Sequence, residues 1–152
     1  MVEFKKPTNE MIRLIADNMR QADVDEIKAA SNATPIDAIT MGVNVSEFVA
    51  VAVINGDIVA IMGVVKNSTL TDNGVPWLLG TNNIKKHYRE FLGTSHEVLN
   101  AMLNVCPNLV NHVHADNKVS VRWLKWLGFK LEQAAPFGMN DELFHKFTMG
   151  NI

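Results

Sequence analysis

Residues 48–65 constrain the fold most strongly, because they have the pattern of two β-strands joined by a tight turn. Phe48 to Ile54 and Ile58 to Val65 are both rich in β-branched and other apolar residues. The dipeptide Asn55-Gly56 between them is a strong hairpin signal, since both residues accept the positive φ that a two-residue turn requires. The chain therefore contains an antiparallel strand pair, against which the remaining elements must pack.

The residues before this hairpin predict one short strand and three helices. Residues 2–5 alternate as a strand does, and Thr8 or Asn9 is a suitable N-cap for the amphipathic helix that follows. A second helix is expected to start near Asp23. A third helix is expected over residues 35–41, opened by a proline and closed by the glycine that follows.

The residues after the hairpin alternate between strands and helices. They predict, in order, a strand at 75–79, a helix at 84–105, a strand at 109–114, a helix at 118–127, a strand after Phe129 and a strand at 143–149. No repeat or linker interrupts this order, so a single domain is expected over residues 1–152. The order predicts an α/β (α+β) protein with a mixed sheet and helices on its faces.

Composition excludes several classes of function. The formal net charge is −2, which argues against the clustered basic excess of a nucleic-acid-binding protein. A single cysteine, Cys106, excludes an internal disulfide and a cysteine-based zinc site. No apolar run approaches the roughly 18 residues of a membrane helix, and the first residues lack the apolar stretch of a secretory signal. A cytoplasmic protein that binds neither membrane nor nucleic acid is expected.

Residues 115–132 resemble the late motif of the GNAT (Gcn5-related) N-acyltransferases. In that family a strand ends in asparagine, a small residue follows three positions later, and the next helix closes with Gly-Phe. The matching positions here are Asn117, Ser120 and Gly128-Phe129. The resemblance implies a mixed, largely antiparallel sheet with helices on both faces and a splayed central strand pair. It also implies an acetyl-CoA-dependent N-acyltransferase, in which an amine of unidentified origin, on a small molecule or a protein, attacks the thioester directly.

The sequence is also similar to a small group of GNAT-like phage proteins encoded among virion genes. The shared features are the segment PWLLGT at 76–81, the asparagine-rich strand around Asn111, and the pair Trp123 and Trp126. This similarity implies an alternative function, that of a catalytically weak or inactive virion or assembly protein in the host cytoplasm or the virion. A homodimer is a further expectation.

The resemblance assigns a set of residues to coenzyme A. The pantetheine arm is expected along the splayed strand at 75–81, and the phosphates at a loop whose best local match is residues 90–95. That loop departs from the family pattern, because an acid, Glu90, stands where glutamine or arginine is usual. The cofactor-binding residues that follow from the resemblance are Leu78, Leu79, Thr81, Arg89, Gly93, Thr94, Ser95, Asn117 and Ser120.

The catalytic residues are less well marked than the cofactor site. The family often places a tyrosine acid seven positions after the motif asparagine, where this chain has Leu124, and its one tyrosine is Tyr88. A general base is still needed for the amine. His112, on the strand beside the motif, and Glu47, before the first central strand, are the candidate catalytic residues.

Several other residues have alternative interpretations. His112 and His114 share one face of a strand and, with His145, would begin a metal site, although half-buried sheet histidines are the commoner explanation and no metal is expected. Trp77, Trp123 and Trp126 would form either an aromatic cage or ordinary packing. Cys106 has the pattern of a buried helix-end residue. The pair Asp25-Glu26 has the pattern of a charge pair in the first turn of a helix, not of a catalytic dyad.

Overall fold

One eight-stranded sheet organises the protein, which is described here from a computed structural model for residues 1–67 and 72–150. The strands are β1 (Val2–Lys5), β2 (Phe48–Ile54), β3 (Asp57–Lys66), β4 (Asn73–Gly80), β5 (Asn108–His114), β6 (Lys130–Leu131), β7 (Ala135–Phe137) and β8 (Glu142–Met149). The helices are α1 (Asn9–Asp17), α2 (Gln21–Ser31), α3 (Pro35–Val45), α4 (Asn83–Lys86), α5 (Tyr88–Val105) and α6 (Lys118–Leu127).

The strands follow the order β1-β2-β3-β4-β5-β8-β6 across the sheet, and β7 pairs with the other half of β8. Every neighbouring pair is antiparallel except β4 and β5, which are parallel. The predicted mixed, largely antiparallel sheet is therefore confirmed. None of the helices in the described ranges is long and apolar enough to cross a membrane.

Helices cover both faces of this sheet, as the sequence predicts. On one face, α1 and α3 pack against alternate residues of β2, with Ile15, Ile39 and Val51 fully buried. On the other face, α5 and α6 pack against the intervening residues, such as Ala52 and Ile54. Because β2 and β3 are buried on both faces, their apolar runs are almost continuous rather than alternating.

The predicted hairpin is confirmed. Asn55 and Gly56 have φ values of 51° and 82° and join β2 to β3 in the primed turn that this dipeptide favours. The N-cap of α1 is Thr8, whose side chain accepts from the Met11 N–H at 3.2 Å.

Two predicted helices differ from the structure for identifiable reasons. The glycine after residue 41 does not close α3, which runs on to Val45; a Cβ at Gly42 would lie 2.9 Å from the ring of Trp77, so this glycine permits close packing on the sheet. The predicted helix at 84–105 is two helices, interrupted at His87, whose ring contacts Asp57 at 2.7 Å. One further strand, β7, lies between β6 and β8 and was not predicted from the sequence.

Candidate functional site

The parallel strands β4 and β5 separate soon after they begin. Asn73 pairs with Asn108 and Gly74 with Leu109, and no further residues of the two strands pair. The splayed central strand pair implied by the GNAT resemblance is therefore present. Beyond these two pairs a gap opens in the middle of the sheet, and the edge of β4 that faces β5 has no strand partner.

A side chain bridges the narrow end of this gap. Asn111 donates from Nδ2 to the Pro76 carbonyl at 2.7 Å, and its Oδ1 accepts from the His112 N–H at 2.7 Å. Pro76 has no backbone N–H. A strand edge without a neighbouring strand therefore leaves no donor without a partner at this residue. The amide of Asn111 thus replaces the backbone pairing that the strands have lost.

Helix α2 covers the far end of the same edge. The Gly80 N–H donates to Asp23 Oδ2 at 2.8 Å, and the Arg20 N–H donates to the Gly80 carbonyl at 2.9 Å. Arg20 also lies 3.3 Å from Asp23 Oδ1. Burial raises the pKa of Asp23, and the Arg20 charge opposes that rise. The start of α2 therefore takes the place of a strand beside Gly80.

Leu78 lies between these two covered positions. Backbone groups along a strand alternate in direction, and Pro76 and Gly80 both direct theirs towards the gap. Leu78 therefore directs its N–H and C=O into the gap, where no described residue pairs with them. An unpaired strand segment of this kind binds extended chains by backbone hydrogen bonds.

A cavity of about 140 Å³ occupies the gap. Its wall towards α5 and α6 is mainly apolar, whereas its wall towards α2 carries two carboxyl groups, Asp23 and Glu26. Its lining residues also include Trp77, Leu78, Leu79, Ser95, Leu99, Met102, Asn111, His112, Ser120, Trp123, Leu124 and Phe147. Polar groups with perturbed proton affinity at one wall of an apolar cavity are typical of a functional site.

Of these two carboxyl groups, Glu26 has the larger shift in pKa. Its Oε1 accepts from the His114 N–H at 2.7 Å and from Asn117 Nδ2 at 3.4 Å. Burial raises the pKa of Glu26 to about 7, the bond from the His114 N–H opposes this rise, and the charge of Asp23 adds to it. This carboxyl group is therefore close to half ionised at neutral pH.

Sequence reasoning missed Glu26. The interpretation of Asp25-Glu26 as a first-turn charge pair is wrong, because α2 begins at Gln21 and not near Asp23. Asp25 is exposed and accepts from Gln21 Nε2, whereas Glu26 faces the cavity. The available signal was the spacing, since Asp23 and Glu26 are three residues apart and share one helix face.

Asn117 occupies the N-cap position of α6 without capping it. Its side chain makes no cap hydrogen bond, and its amide nitrogen instead points to Glu26. Its Oδ1 is buried and has no partner among the described residues. A buried acceptor without a partner costs about 1–3 kcal/mol, and a ligand N–H would satisfy it.

A second, larger cavity of about 420 Å³ adjoins the first. Leu78, Ser120 and Trp123 line both cavities, which makes the two continuous along β4. Three cations, Arg20, Lys85 and Arg122, line the second cavity, which also borders the first turns of α5 and α6 at Tyr88, Val119 and Ser120. Helix N-termini with converging cations bind phosphate groups.

The predicted phosphate loop at 90–95 is wrong in its geometry. Gly93, Thr94 and Ser95 lie inside α5, more than a turn from its start, so their N–H groups are used within the helix. The Thr94 and Ser95 hydroxyls both donate to the Phe91 carbonyl at 3.0 Å. Arg89 is exposed in the first turn of the helix and does not line the second cavity. The cations that line this cavity are Arg20, Lys85 and Arg122.

The other predicted site residues are only partly brought together. Leu78 and Leu79 line the cavity, as do Ser120 and Leu124. Thr81, by contrast, is fully buried beside β3, where its hydroxyl donates to the Ile58 carbonyl at 2.7 Å. It therefore offers nothing to a ligand in the gap.

The two predicted catalytic residues lie apart. His112 lines the cavity and stacks on Phe137 with ring centroids 3.7 Å apart, and burial lowers the pKa of this histidine. Glu47 is exposed at the start of β2, where its N–H donates to Val64, and it does not line the cavity.

The alternative sites are not assembled in the structure. The ring of His114 contacts Glu142 and that of His145 contacts the Glu132 carbonyl, and no three metal-ligating side chains converge anywhere in residues 1–67 and 72–150. Trp126 is 52% exposed and packs on His96 rather than joining the other two tryptophans.

The interpretation of Cys106 is confirmed. Its side chain is fully buried just after the end of α5. Burial raises the pKa of its thiol, which opposes the thiolate form that a nucleophile needs.

Solved acetyltransferase structures share this arrangement over nearly their full length. A chimera of the spermidine N-acetyltransferase SpeG from Vibrio cholerae and hSSAT is 11% identical with a TM-score of 0.71, over 97% of this chain and 94% of that chain. The aminoglycoside acetyltransferase AAC(6')-Ib in complex with coenzyme A is 11% identical with a TM-score of 0.70, over 99% and 95%. YncA from Salmonella typhimurium, a putative acetyltransferase with its cofactor acetyl-CoA, is 12% identical with a TM-score of 0.65, over 99% and 94%.

The chain matches no protein-family model and no curated protein sequence. At 11–12% identity the structural likeness establishes the fold and not the activity. The splayed strands β4 and β5, the helices on both faces and these neighbours agree, and the chain has the fold of the GNAT N-acyltransferases.

Proposed function

We propose that this protein transfers an acyl group from acetyl-CoA to an amine. The observation that carries the proposal is the unpaired backbone of Leu78 in the gap between β4 and β5. The gap connects to a cationic cavity along β4 and has carboxyl groups on its opposite wall. An extended, phosphate-bearing thioester and a basic acceptor are the pair of ligands that this arrangement fits.

The cationic cavity suits the phosphates of coenzyme A. Lys85 and Arg122 reach it from α4 and α6, and Arg20 reaches it from the loop before α2. The first turns of α5 and α6 add unpaired N–H groups and the positive ends of two helix dipoles. These groups take the place of the phosphate loop that the GNAT resemblance led us to expect at residues 90–95.

The pantetheine arm would then run from this cavity along β4. Its amide groups suit the free N–H and C=O of Leu78, in the manner of a chain added to a sheet edge. The buried Oδ1 of Asn117 is a further acceptor without a partner. Leu79 and Ser120 line the path beside it. This path would bring the thioester to the 140 Å³ cavity.

The amine acceptor is supported by the neighbours and by the charge of the site. The neighbouring structures include complexes with coenzyme A and with the aminoglycosides ribostamycin and kanamycin, and enzymes named for spermidine. The carboxyl groups on the α2 wall favour an acceptor of the same kind here, a small-molecule or protein amine.

Direct attack of the amine on the thioester needs a base, whereas an acid for the departing thiolate is useful but not essential. His112 lines the cavity and is neutral at pH 7, since burial lowers its pKa, so it is one candidate base. Leu124 is buried at the position where a tyrosine acid is usual in the family. The thiol of coenzyme A resembles that of cysteine, with a pKa of about 8.5, and water can supply its proton.

We expect Arg122→Glu to weaken the binding of acetyl-CoA. Losing a charge-assisted hydrogen bond to phosphate costs about 1.5–3 kcal/mol, or about 10–100-fold in affinity, and the new carboxylate adds repulsion. Isothermal titration calorimetry and the thermal shift with acetyl-CoA measure the change. Lys125→Glu is the matched control, because Lys125 is on the same helix but outside the cavity.

Two results would contradict the proposal. The first is a wild type that shows neither heat nor a rise in melting temperature with millimolar acetyl-CoA, since binding to the folded state must stabilise it. The second is an equal loss of affinity in Arg122→Glu and Lys125→Glu, which would mean that the net charge and not the cavity determines binding.

A second candidate function is a GNAT-like domain that binds coenzyme A with little or no turnover. Leu124 favours it, because the cavity has no tyrosine acid at that position. The association with phage virions or assembly belongs to this candidate and comes from the sequence similarity alone. A homodimer remains an expectation for either candidate function. Acetyl-CoA binding without thiol release in the presence of amines would favour it over the enzyme.

A further inference from the structure

We propose that Glu26 is the group that takes the proton from the incoming amine, and that the acceptor therefore arrives as a cation at the α2 wall of the cavity. This inference rests on the proposed acyl transfer. It assigns the base to a residue that the sequence did not mark, on a helix outside the resemblance motif. It also names the acceptor as a protonated amine rather than an alcohol or a neutral aromatic amine.

The position of the carboxyl group carries the argument. Glu26 lines the same cavity as Leu78 and Leu79, where the thioester would lie. Its Oε1 is fixed by the His114 N–H and the Asn117 amide, while Oε2 has no hydrogen-bond partner among the described residues. A carboxylate held by one oxygen leaves the other in a fixed place for a proton, which is the geometry that a general base requires.

The charges around Glu26 indicate which acceptor it would take. On its own helix, Asp23 is already paired with Arg20 and with the Gly80 N–H. On β5, the ring of His114 contacts Glu142. No described lysine or arginine pairs with Glu26, and the His114 charge that attracts Glu26 also attracts Glu142. An ammonium group entering the cavity would therefore supply the missing positive charge.

The proton affinity of Glu26 fits the same role. A free glutamic acid has a pKa near 4.3 and would be too weak a base at neutral pH, but burial raises the pKa of Glu26 to about 7. His112 is the rival base in the cavity. Its ring is stacked on Phe137, and burial lowers its pKa, which makes it the weaker acceptor of a proton.

The step balances without any further reactant. The ammonium gives one proton to Glu26, and the neutral nitrogen attacks the thioester carbonyl carbon and forms the C–N bond. The C–S bond then breaks with its electron pair on sulfur, and the second proton of the nitrogen passes to the thiolate through water. Glu26 returns its proton to solvent, so the products are an amide, the free thiol of coenzyme A and one released proton.

The test compares Glu26→Gln with wild type, using acetyl-CoA and two small amines of similar size. Ethylamine is protonated at neutral pH, as the lysine side chain is, whereas 2,2,2-trifluoroethylamine is largely neutral. We expect Glu26→Gln to lose about 10²–10⁴-fold in kcat with ethylamine and much less with trifluoroethylamine, at an unchanged KM for acetyl-CoA. The rise of kcat/KM around pH 7 should also disappear.

Two further variants complete the experiment. Asp25→Asn removes the adjacent carboxylate, which is exposed and outside the cavity, and should leave both rates unchanged. His112→Gln should keep the rise of kcat/KM around pH 7. Thiol release, followed with a chromogenic disulfide, measures every rate.

Four outcomes would overturn the inference. They are a Glu26→Gln rate with ethylamine within about threefold of wild type, equal losses with both amines, loss of the pH 7 rise in His112→Gln, and no thiol release by the wild type with either amine. The second would indicate a structural role for Glu26. The first three outcomes would overturn the role of Glu26 and leave the proposed acyl transfer standing. The fourth, with acetyl-CoA binding intact, would overturn the proposed acyl transfer as well.

Discussion

Glu26→Gln is expected to be more stable than wild type at pH 8 and equally stable at pH 4. The pKa of Glu26 rises from 4.5 to about 7 on folding, so between these values the folded state binds more protons than the unfolded state. Stability then falls as the pH rises through this window. At about 1.4 kcal/mol per pKa unit, removing the buried charge raises the free energy of unfolding above pH 7 by about 3 kcal/mol.

Urea denaturation of both proteins at pH values from 4 to 8 measures this difference. Glutamine keeps an oxygen that accepts from the His114 N–H, so the variant retains that hydrogen bond. Asp25→Asn is the control, because the exposed Asp25 shares the helix but not the cavity. A Glu26→Gln advantage that does not grow between pH 5 and pH 7 would show that burial does not raise the pKa of Glu26.

The elements that the sequence predicted well are those with local signals. The Asn55-Gly56 turn and the end of α6 at Gly128 depend on backbone conformations that few residue types accept. The motif around Asn117 also implied the separation of β4 from β5. Each of these signals is carried by residues that are neighbours in the chain, which is the range over which sequence patterns are informative.

The carboxyl groups of the site could not be predicted in the same way. Asp23 accepts a hydrogen bond from the N–H of Gly80, which is 57 residues later in the chain. Glu26 acquires its role from His114 and Asn117, about 90 residues later. Nothing near residues 23–26 in the sequence records these partners, so the helix dipole was the only interaction that sequence reasoning had to weigh.

The loop expected at residues 90–95 does not form, for a related reason. The GNAT resemblance matched residues 90–95 to a phosphate-binding loop, but these residues lie inside α5, which starts at Tyr88. Once the helix starts there, its N-terminus lies beside Lys85 and Arg122 rather than beside Thr94. The position of the cationic cavity thus follows from where α5 starts, directly after His87, whose ring contacts Asp57.

The start of α2 connects the stability of the fold to the geometry of the site. Asp23 covers the Gly80 N–H and pairs with Arg20, while Arg20 also lines the cationic cavity. The same two residues therefore cover the edge of β4 just beyond Leu78, and Asp23 lies three residues before Glu26 on α2. Removing the Asp23 side chain should therefore weaken the contact between α2 and β4.

We expect Asp23→Ala to lower the free energy of unfolding by about 3 kcal/mol, because breaking a buried ion pair leaves the partner charge uncompensated. Asp23 is 2% exposed, and the change also leaves the Gly80 N–H without an acceptor. Asp23→Asn keeps an acceptor for that N–H and should lose about half as much. Urea denaturation at pH 7 measures both, with Asp25→Ala as the control on the exposed face of α2. If Asp23→Ala were as stable as Asp25→Ala, the contact between α2 and β4 would not hold the edge of the gap.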